Sequence, residues 1–316
     1  MNLRELPIGL YGAVMGLAGL GLSARAAAPV LAGVLPAPAW FTELWVLLGV
    51  LALALLLPLY IIKLIRYPAA VREDFTDPAL LGFTGAAPVG MFLVAGGLAP
   101  YAPSFAGALW WLGFGLLTAF QVWALSRWLS GSIELARVNA GWLIVLVGGI
   151  VAPGPGLALG LEAPARFAFG VSAAAAPLLM ALLFYRAALG APLPAALRPS
   201  WFILLVPPSL IYANGIVLFS QAFFLESLYF AALVLAAALL LNARTLWRWP
   251  FGAPWWAFTF PLDALAYAAA RYAQDHPAPL WQALSAATLA LATLFVAMVL
   301  LRFLAAILRS GASRPA

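Results

Sequence analysis

LWVLLGVLALALLLPLYIIKL, residues 44–64, decides the fold class of this chain. No charged residue occurs between Glu43 and Lys63, and a helix of this length, rising 1.5 Å per residue, crosses about 30 Å, the thickness of the hydrocarbon core of a bilayer. Similar apolar stretches recur from one end of the 316-residue sequence to the other. The pattern predicts an all-α membrane protein with a single transmembrane domain over residues 1–316.

Composition and charge limit the classes of protein to which this chain can belong. With 66% hydrophobic and 8% charged residues, it cannot cover a water-soluble globule with polar side chains. The basic residues that give the formal charge of +6 are scattered singly between apolar segments, which argues against a nucleic-acid partner. The chain has no cysteine and one histidine, His276, so thiolate and paired-histidine sites are excluded. We expect membrane lipid as its surroundings, no metal or cofactor, and no enzymatic activity.

The apolar stretches predict ten transmembrane helices, and the basic residues predict their orientation. All but three of the sixteen basic residues fall on one side of the membrane, the exceptions being Arg25, Arg166 and Arg271. Both termini are therefore predicted to lie in the cytoplasm. The basic residues on that side are Arg4, Lys63, Arg66, Arg72, Arg127, Arg137, Arg186, Arg198, Arg244, Arg248, Arg302, Arg309 and Arg314. The predicted spans are residues 6–24, 41–66, 79–98, 104–129, 140–157, 165–189, 199–219, 224–247, 254–273 and 279–308.

Helix-breaking residues concentrate in the odd-numbered segments, whereas the even-numbered segments are leucine- and alanine-rich and mostly featureless apart from Pro58. NAGWLIVLVGG (139–149) aligns with RPSWFILLVPP (198–208), which indicates a helical-hairpin repeat used five times. Carbonyls freed by a proline are tolerated at membrane depth only against protein or water. The residues expected to line a pore or to kink its helices are Pro7, Gly12, Pro88, Gly148, Gly149, Pro207, Pro208 and Pro261.

This distribution predicts five inner helices around a central pore, each backed by an outer partner. The alternative is that proline and glycine are simply common in membrane helices, where small residues such as Gly12 and Gly16 permit close packing. Their concentration in alternate segments favours the pore.

Two motifs resemble those of a known family. PIGLYGAVMGLAGL (7–20) and WWAFTFPL (255–262) are similar to the first and ninth helices of the tellurite-resistance/dicarboxylate transporter family, which includes bacterial members and the plant guard-cell slow anion channels. The resemblance implies five hairpins around a pore, a homotrimer, and a multi-pass protein of the bacterial inner (plasma) membrane. It also implies that Phe260, in the TFP motif, plugs the pore as a gate. The alternative for Phe260 is an ordinary packed aromatic side chain.

The expected function is an anion-selective channel or facilitator that passes small inorganic or organic anions through this pore. The alternative is a proton-coupled carrier of C4-dicarboxylates or tellurite-type oxyanions. A third class is a non-transporting membrane subunit that docks a redox or signalling partner. The fifth helix departs from the family because it lacks a proline in its first half and has Pro153 late, so its bend is expected to differ.

Asp263 is the conspicuous ionisable residue inside a predicted span, and an intramembrane carboxyl is a functional candidate. Three roles are open: a coupling site of a carrier, a carboxyl kept neutral by burial, or a carboxylate paired with Arg4 or Arg25. The paired role is favoured because buried charges are usually paired. A separate acidic cluster, Glu73, Asp74 and Asp77, is expected in a solvated cytoplasmic loop.

Overall fold

The computed structural model describes residues 3–33, 38–219 and 222–312, and every regular element within these ranges is helical. An all-α fold is thus confirmed. Arg314, which contributes to the predicted charge asymmetry, lies outside the described residues. The α-helices are α1 (Gly12–Leu31), α2 (Ala39–Arg66), α3 (Pro68–Thr76), α4 (Pro78–Leu81), α5 (Ala86–Leu98), α6 (Pro103–Leu129), α7 (Trp142–Val147), α8 (Pro153–Ala158), α9 (Glu162–Leu189), α10 (Val206–Leu218), α11 (Ala222–Asn242), α12 (Thr259–Asp275) and α13 (Pro279–Ala312).

Eight helical segments of the described chain are long and apolar enough to cross a membrane, judged by length and composition. They correspond to all the predicted segments except the fifth and the ninth. The fifth, Trp142–Ala158, is apolar but shorter than the other spans. The ninth, residues 253–275, is helical but less apolar, because α12 carries Asp263, Arg271 and Asp275. The structure therefore supports a multi-pass membrane protein, with eight clear candidate spans in the part of the chain described.

Burial alternates along the chain. In an apolar 18-residue stretch of each of the spans Ile8–Leu31, Pro78–Leu98 and Ala195–Leu218, between 67% and 78% of residues are buried inside the protein, against 17% to 33% in the corresponding stretches of α2, α6, α9, α11 and α13. The segments Trp142–Ala158 and 253–275 are also largely buried. We call these five buried stretches the inner segments and the other five the outer helices. The breaker-bearing segments are the buried ones, as predicted.

Each inner segment joins a 3-10 stretch to an α-helix. In four of the five inner segments the α-helix after that stretch carries a proline in its first turn: Pro88 in α5, Pro153 in α8, Pro207 in α10 and Pro261 in α12. A first-turn N–H has no intrahelical acceptor, so proline costs no hydrogen bond there. The interruption in each inner segment is thus a change from 3-10 helix to α-helix. In the fifth segment the α-helix resumes at Pro153, after the 3-10 stretch Gly148–Val151. The 3-10 stretches are Ile8–Tyr11, Gly82–Gly85, Gly148–Val151, Ala195–Leu205 and Ala253–Phe258.

The inner segments pack in a closed ring. Going round it, α1 contacts α5, α5 contacts α8, α8 contacts α10, α10 contacts α12, and α12 contacts α1. Each inner segment also contacts the outer helix that follows it in the chain: α2, α6, α9, α11 and α13 respectively. Outer-helix leucines such as Leu47, Leu51 and Leu55 are more than half exposed. This is the arrangement expected when lipid, which needs no polar cover, surrounds the outer helices.

Glycines set the distance between α1 and α12. A Cβ atom on Gly16 would overlap the side chain of Thr259, and one on Gly12 would lie 3.1 Å from Trp256 Cβ. Because glycine has no side chain, the two helices approach closely at the level of the TFP motif. The Gly12 and Gly16 pair therefore serves close packing of α1 against residues 256–259.

Candidate functional site

A cavity of about 420 Å³ lies inside the ring, at the end where the inner segments begin with 3-10 helix. All five inner segments contribute to its wall, for example through Met15, Val89, Val147, Val206 and Phe260. Charged residues of both signs also line it: Arg4, Glu5, Lys63, Glu73 and Asp74. We call it the first cavity.

A second cavity of about 360 Å³ is lined by the same five segments farther along, for example through Leu22, Leu93, Gly154, Leu210 and Ala264. Its polar lining side chains among the described residues are Ser23, Arg25, Asn214 and Tyr267. Asn214 donates from Nδ2 to the carbonyl oxygen of Ile150 at 2.7 Å, and Ser23 donates from Oγ to the backbone carbonyl of Asp263 at 2.8 Å. We call this the second cavity.

The cavity walls follow helical spacing on each inner segment. On α1, Gly12 and Met15 line the first cavity, and Gly19, Leu22 and Ala26 line the second. Steps of three and four residues keep side chains on one face of a helix. Equivalent series are Ala86, Val89, Leu93 and Gly96; Ile203, Val206, Leu210 and Asn214; and Trp256, Phe260, Ala264 and Tyr267. One face of each of these helices thus serves both cavities.

Phe260 lies where the two cavities meet. Phe260 and Val151 line both cavities, and the Phe260 side chain is 5% exposed. A Cβ atom on Gly19 would lie 3.0 Å from Phe260 Cδ2, so the ring packs against α1 where that helix has no side chain. Phe258, by contrast, packs among Phe202, Trp249 and other aromatic rings and lines neither cavity. The ring of Phe260 therefore stands between two spaces.

The other residues predicted for the pore divide into two groups. Pro7, Gly12, Gly148 and Pro261 line the first cavity. Pro88, Gly149, Pro207 and Pro208 are buried in the helix packing and line neither cavity. The backbone N–H of Gly149, for instance, donates to Ser172 Oγ of α9 at 3.0 Å. The second group shapes the inner segments without facing either space.

Asp263 is 1% exposed, and neither of its carboxyl oxygens has a hydrogen-bond partner among the described residues. The favoured pairing with Arg4 or Arg25 is therefore wrong, because Arg25 binds Glu43 instead. A Cβ atom on Gly19 would lie 3.0 Å from Asp263 Oδ2, so Gly19 leaves room for this carboxyl as well as for the Phe260 ring. An unpartnered polar group in this position is costly, which marks Asp263 for a functional role.

The acidic cluster that was expected to be solvated is partly buried. Asp74 accepts hydrogen bonds from Lys63 Nζ and from the Tyr60 hydroxyl, both at 2.7 Å, and both members of the Lys63–Asp74 ion pair are almost fully buried. Lys63 also donates to the Leu6 carbonyl at 2.9 Å. The network ties α3 and the residues before α1 to the end of α2. Sequence reasoning missed it because the partners come from three separate segments.

A second ion pair stands at the second cavity. Arg25 Nη2 donates to both carboxylate oxygens of Glu43, at 3.0 and 3.1 Å. A hydrogen bond with Glu43 raises the pKa of Tyr101, which lies in the turn between α5 and α6. The sequence singled out Arg25 in one respect: it is one of three basic residues that are not on the predicted cytoplasmic side. Its position on the cavity wall could not be read from that signal.

Comparison with known proteins agrees with this architecture. The family model described as SLAC1, voltage-dependent anion channel, matches residues 5–304. The chain is 27% identical over 306 residues to the S-type anion channel SLAH3 of Arabidopsis thaliana, covering 93% of this chain and 47% of that protein. It is 25% identical over 317 residues to the guard cell S-type anion channel SLAC1 of the same plant, covering 98% and 56%.

An archaeal relative is also similar. The uncharacterized transporter MJ0762 of Methanocaldococcus jannaschii is 26% identical over 244 residues, covering 68% of this chain and 70% of that protein. The chain spans about half the length of the plant relatives. The match over nearly all of this sequence confirms the resemblance of its two helix motifs, and the chain belongs to the SLAC1 family, the tellurite-resistance/dicarboxylate transporter family.

Proposed function

We propose that this protein is an anion-selective channel or facilitator, in which small inorganic or organic anions pass through the ring of inner segments and Phe260 closes the path at rest. The observation that carries the proposal is that all five inner segments line both cavities, which meet at Phe260. The plant relatives SLAH3 and SLAC1 are S-type anion channels, which supports the same class of substrate. An aromatic ring between two cavities blocks ions by bulk and by its apolar surface.

The proposal includes a membrane topology and an assembly. Ten crossings arranged as five hairpins, with both termini in the cytoplasm, are supported by the contact of each inner segment with its following outer helix and by the charge asymmetry. The family resemblance implies a homotrimer in a bacterial inner membrane. Native mass spectrometry tests the assembly, since a trimer has three times the 33.4 kDa mass of one chain, and a smaller assembly contradicts it.

Planar-bilayer recording under chloride and nitrate gradients tests the gate. We expect Phe260→Ala to raise anion conductance well above that of the wild type, because the ring no longer separates the cavities. Phe258→Ala is the matched control: it removes the same ring two residues away, at a position that lines neither cavity. Size-exclusion profiles establish that both variants are folded. Equal conductance in Phe260→Ala and the wild type would reject the gate.

The second candidate function is a proton-coupled carrier of C4-dicarboxylates or tellurite-type oxyanions. It is favoured by Asp263, whose carboxyl is buried with no hydrogen-bond partner among the residues that the structure describes. This carboxyl lies about one helical turn from Phe260 and suits the uptake and release of a proton. If the protein is a carrier, Asp263→Asn is expected to abolish anion uptake driven by a pH gradient. Asp275→Asn is the control, because Asp275 is exposed at the end of the same helix, and it is expected to leave that uptake intact. For the channel, anion flux is not driven by a pH gradient in either variant or in the wild type.

A further inference from the structure

The charge on the wall of the second cavity is of one sign, positive. Among the described residues Arg25 is the single charged side chain in its lining, whereas the first cavity is lined by acidic and basic residues together. The neighbouring polar groups, Ser23 and Asn214, already donate to backbone carbonyls. An anion in the second cavity therefore meets one positive charge, that of Arg25.

The guanidinium of Arg25 is held by contacts that an anion can displace. Nη2 binds the Glu43 carboxylate, while Nη1 and Nη2 make only long contacts of 3.4 to 3.5 Å to the carbonyl oxygens of Gly96 and Gly97. The two side chains are 30% and 36% exposed, and ion pairs in such partly solvated places are weak. Gly96 itself lines the second cavity. The guanidinium thus sits at the cavity wall with a single strong partner.

Arg25 and Phe260 line the second cavity at different levels. Gly19 faces the Phe260 ring, since a Cβ atom there would lie 3.0 Å from Phe260 Cδ2, and Arg25 follows six residues later on the same helix, about 9 Å along the helix axis. Tyr267 and Asn214 lie on the wall formed by α12 and α10. An anion in the second cavity therefore has Arg25 at one level of the wall and Phe260 at another.

We infer that Arg25 selects anions at the second cavity and that Glu43 is the counter-ion with which they compete for its guanidinium. This assignment rests on the proposed function and names its substrates more closely. They are small monovalent anions such as chloride and nitrate, which compete with the Glu43 carboxylate for the Arg25 guanidinium. Conduction needs a site that attracts ions yet releases them. Glu43 lowers the availability of the Arg25 guanidinium by pairing with it, so removing Glu43 frees the guanidinium for anions whereas removing Arg25 abolishes the site, and the two changes have opposite effects on anion passage. A purely structural ion pair would respond to both changes in the same direction.

The test is bilayer recording in the Phe260→Ala background, with reversal potentials measured under a KCl gradient. We expect Arg25→Gln to lower chloride conductance and the chloride-over-potassium permeability ratio by about tenfold, the size of effect typical of a focused charge. Glu43→Gln is expected to raise both quantities, and the double variant to behave like Arg25→Gln. Arg25→Lys, which keeps the positive charge, should retain anion selectivity. If Arg25→Gln fails to fold, Arg25→Lys and Glu43→Gln together still test the assignment.

The matched controls are Arg166→Gln and Glu162→Gln, which break an exposed ion pair at the start of α9 that lines neither cavity. They should leave conductance and selectivity unchanged. If Phe260→Ala conducts anions but the Arg25 and Glu43 variants shift selectivity in the same direction, or not at all, the assignment of Arg25 is wrong and the channel stands. If Phe260→Ala passes no anion, the proposed function and this assignment fall together.

Discussion

At the scale of single residues, three glycines of α1 leave space that a side chain would take from neighbouring groups. Gly12 and Gly16 let residues 256–259 approach α1, and Gly19 leaves room for the Phe260 ring and the Asp263 carboxyl. All three lie in the motif PIGLYGAVMGLAGL. The motif thus specifies the contact between α1 and residues 256–263, because a side chain at any of these three positions would occupy space that those residues fill.

We expect Gly16→Ala to lower the free energy of unfolding by about 1–3 kcal/mol, the cost of forcing an extra carbon into a packed core. A Cβ atom there overlaps Thr259. Gly170→Ala is the control, since Gly170 is exposed on α9 with open space around it, and alanine stabilises a helix by up to about 1 kcal/mol relative to glycine. Thermal unfolding in detergent, followed by tryptophan fluorescence, compares them. Equal stability of the two variants would contradict the role given to Gly16.

At the scale of elements, inner segments differ from outer helices in how they begin. Each inner segment passes through 3-10 helix before or within its α-helical part, whereas α2, α6, α9 and α13 are continuous α-helices. Proline marks the junction in four inner segments without losing a hydrogen bond, because it occupies the first turn. In α12 the junction falls at Thr259, directly before Phe260. The position of the Phe260 ring is therefore set by a change of helix type.

Pro261→Ala tests this link. Alanine supplies an N–H at position 261 that can bond to a carbonyl one turn earlier, so α12 can extend backward past Thr259 into the 3-10 stretch Ala253–Phe258 and turn the Phe260 ring from its place between the cavities. We expect a resting anion conductance several-fold above wild type with little change in stability. Pro177→Ala is the control: this proline lies inside α9 and lines neither cavity, so its replacement should stabilise the helix and leave conductance as it is. Unchanged conductance in Pro261→Ala would show that the junction does not position the ring.

At the scale of the whole molecule, the proposed ten crossings depend on the two segments that are shorter or less apolar than the rest, Trp142–Ala158 and 253–275. Both belong to the inner ring, where protein rather than lipid surrounds them. A helix shielded by its neighbours needs less hydrophobicity than one that faces lipid. We therefore expect both to cross.

Single cysteines report the side of each loop without interference, because the natural sequence has none. We expect Ser132→Cys and Glu162→Cys, before and after the fifth segment, to react with a membrane-impermeant maleimide from opposite sides of the membrane. Arg248→Cys and Asp275→Cys, on either side of the ninth segment, should behave in the same way. All four positions are exposed in this structure. Labelling of both members of a pair from one side would remove that crossing and invert the loops that follow.

The sequence by itself determined the membrane class, the helical fold and the division into buried and lipid-facing segments. These properties depend on local composition: apolar runs must lie in lipid, and breakers such as Pro88 and Pro261 must be surrounded by protein. The family also followed from two local motifs, PIGLYGAVMGLAGL and WWAFTFPL.

Only the tertiary structure decided which distant side chains meet. It paired Lys63 with Asp74 and Arg25 with Glu43, and it set Phe260 between two cavities. Within the described part of the chain it left the Asp263 carboxyl without a hydrogen-bond partner. The sequence suggested the wrong partner for Asp263 because the rule that buried charges are paired does not say which residue is near. Side chains from separate helices meet according to the rotation and spacing of those helices, which the closed ring of five segments establishes as a whole.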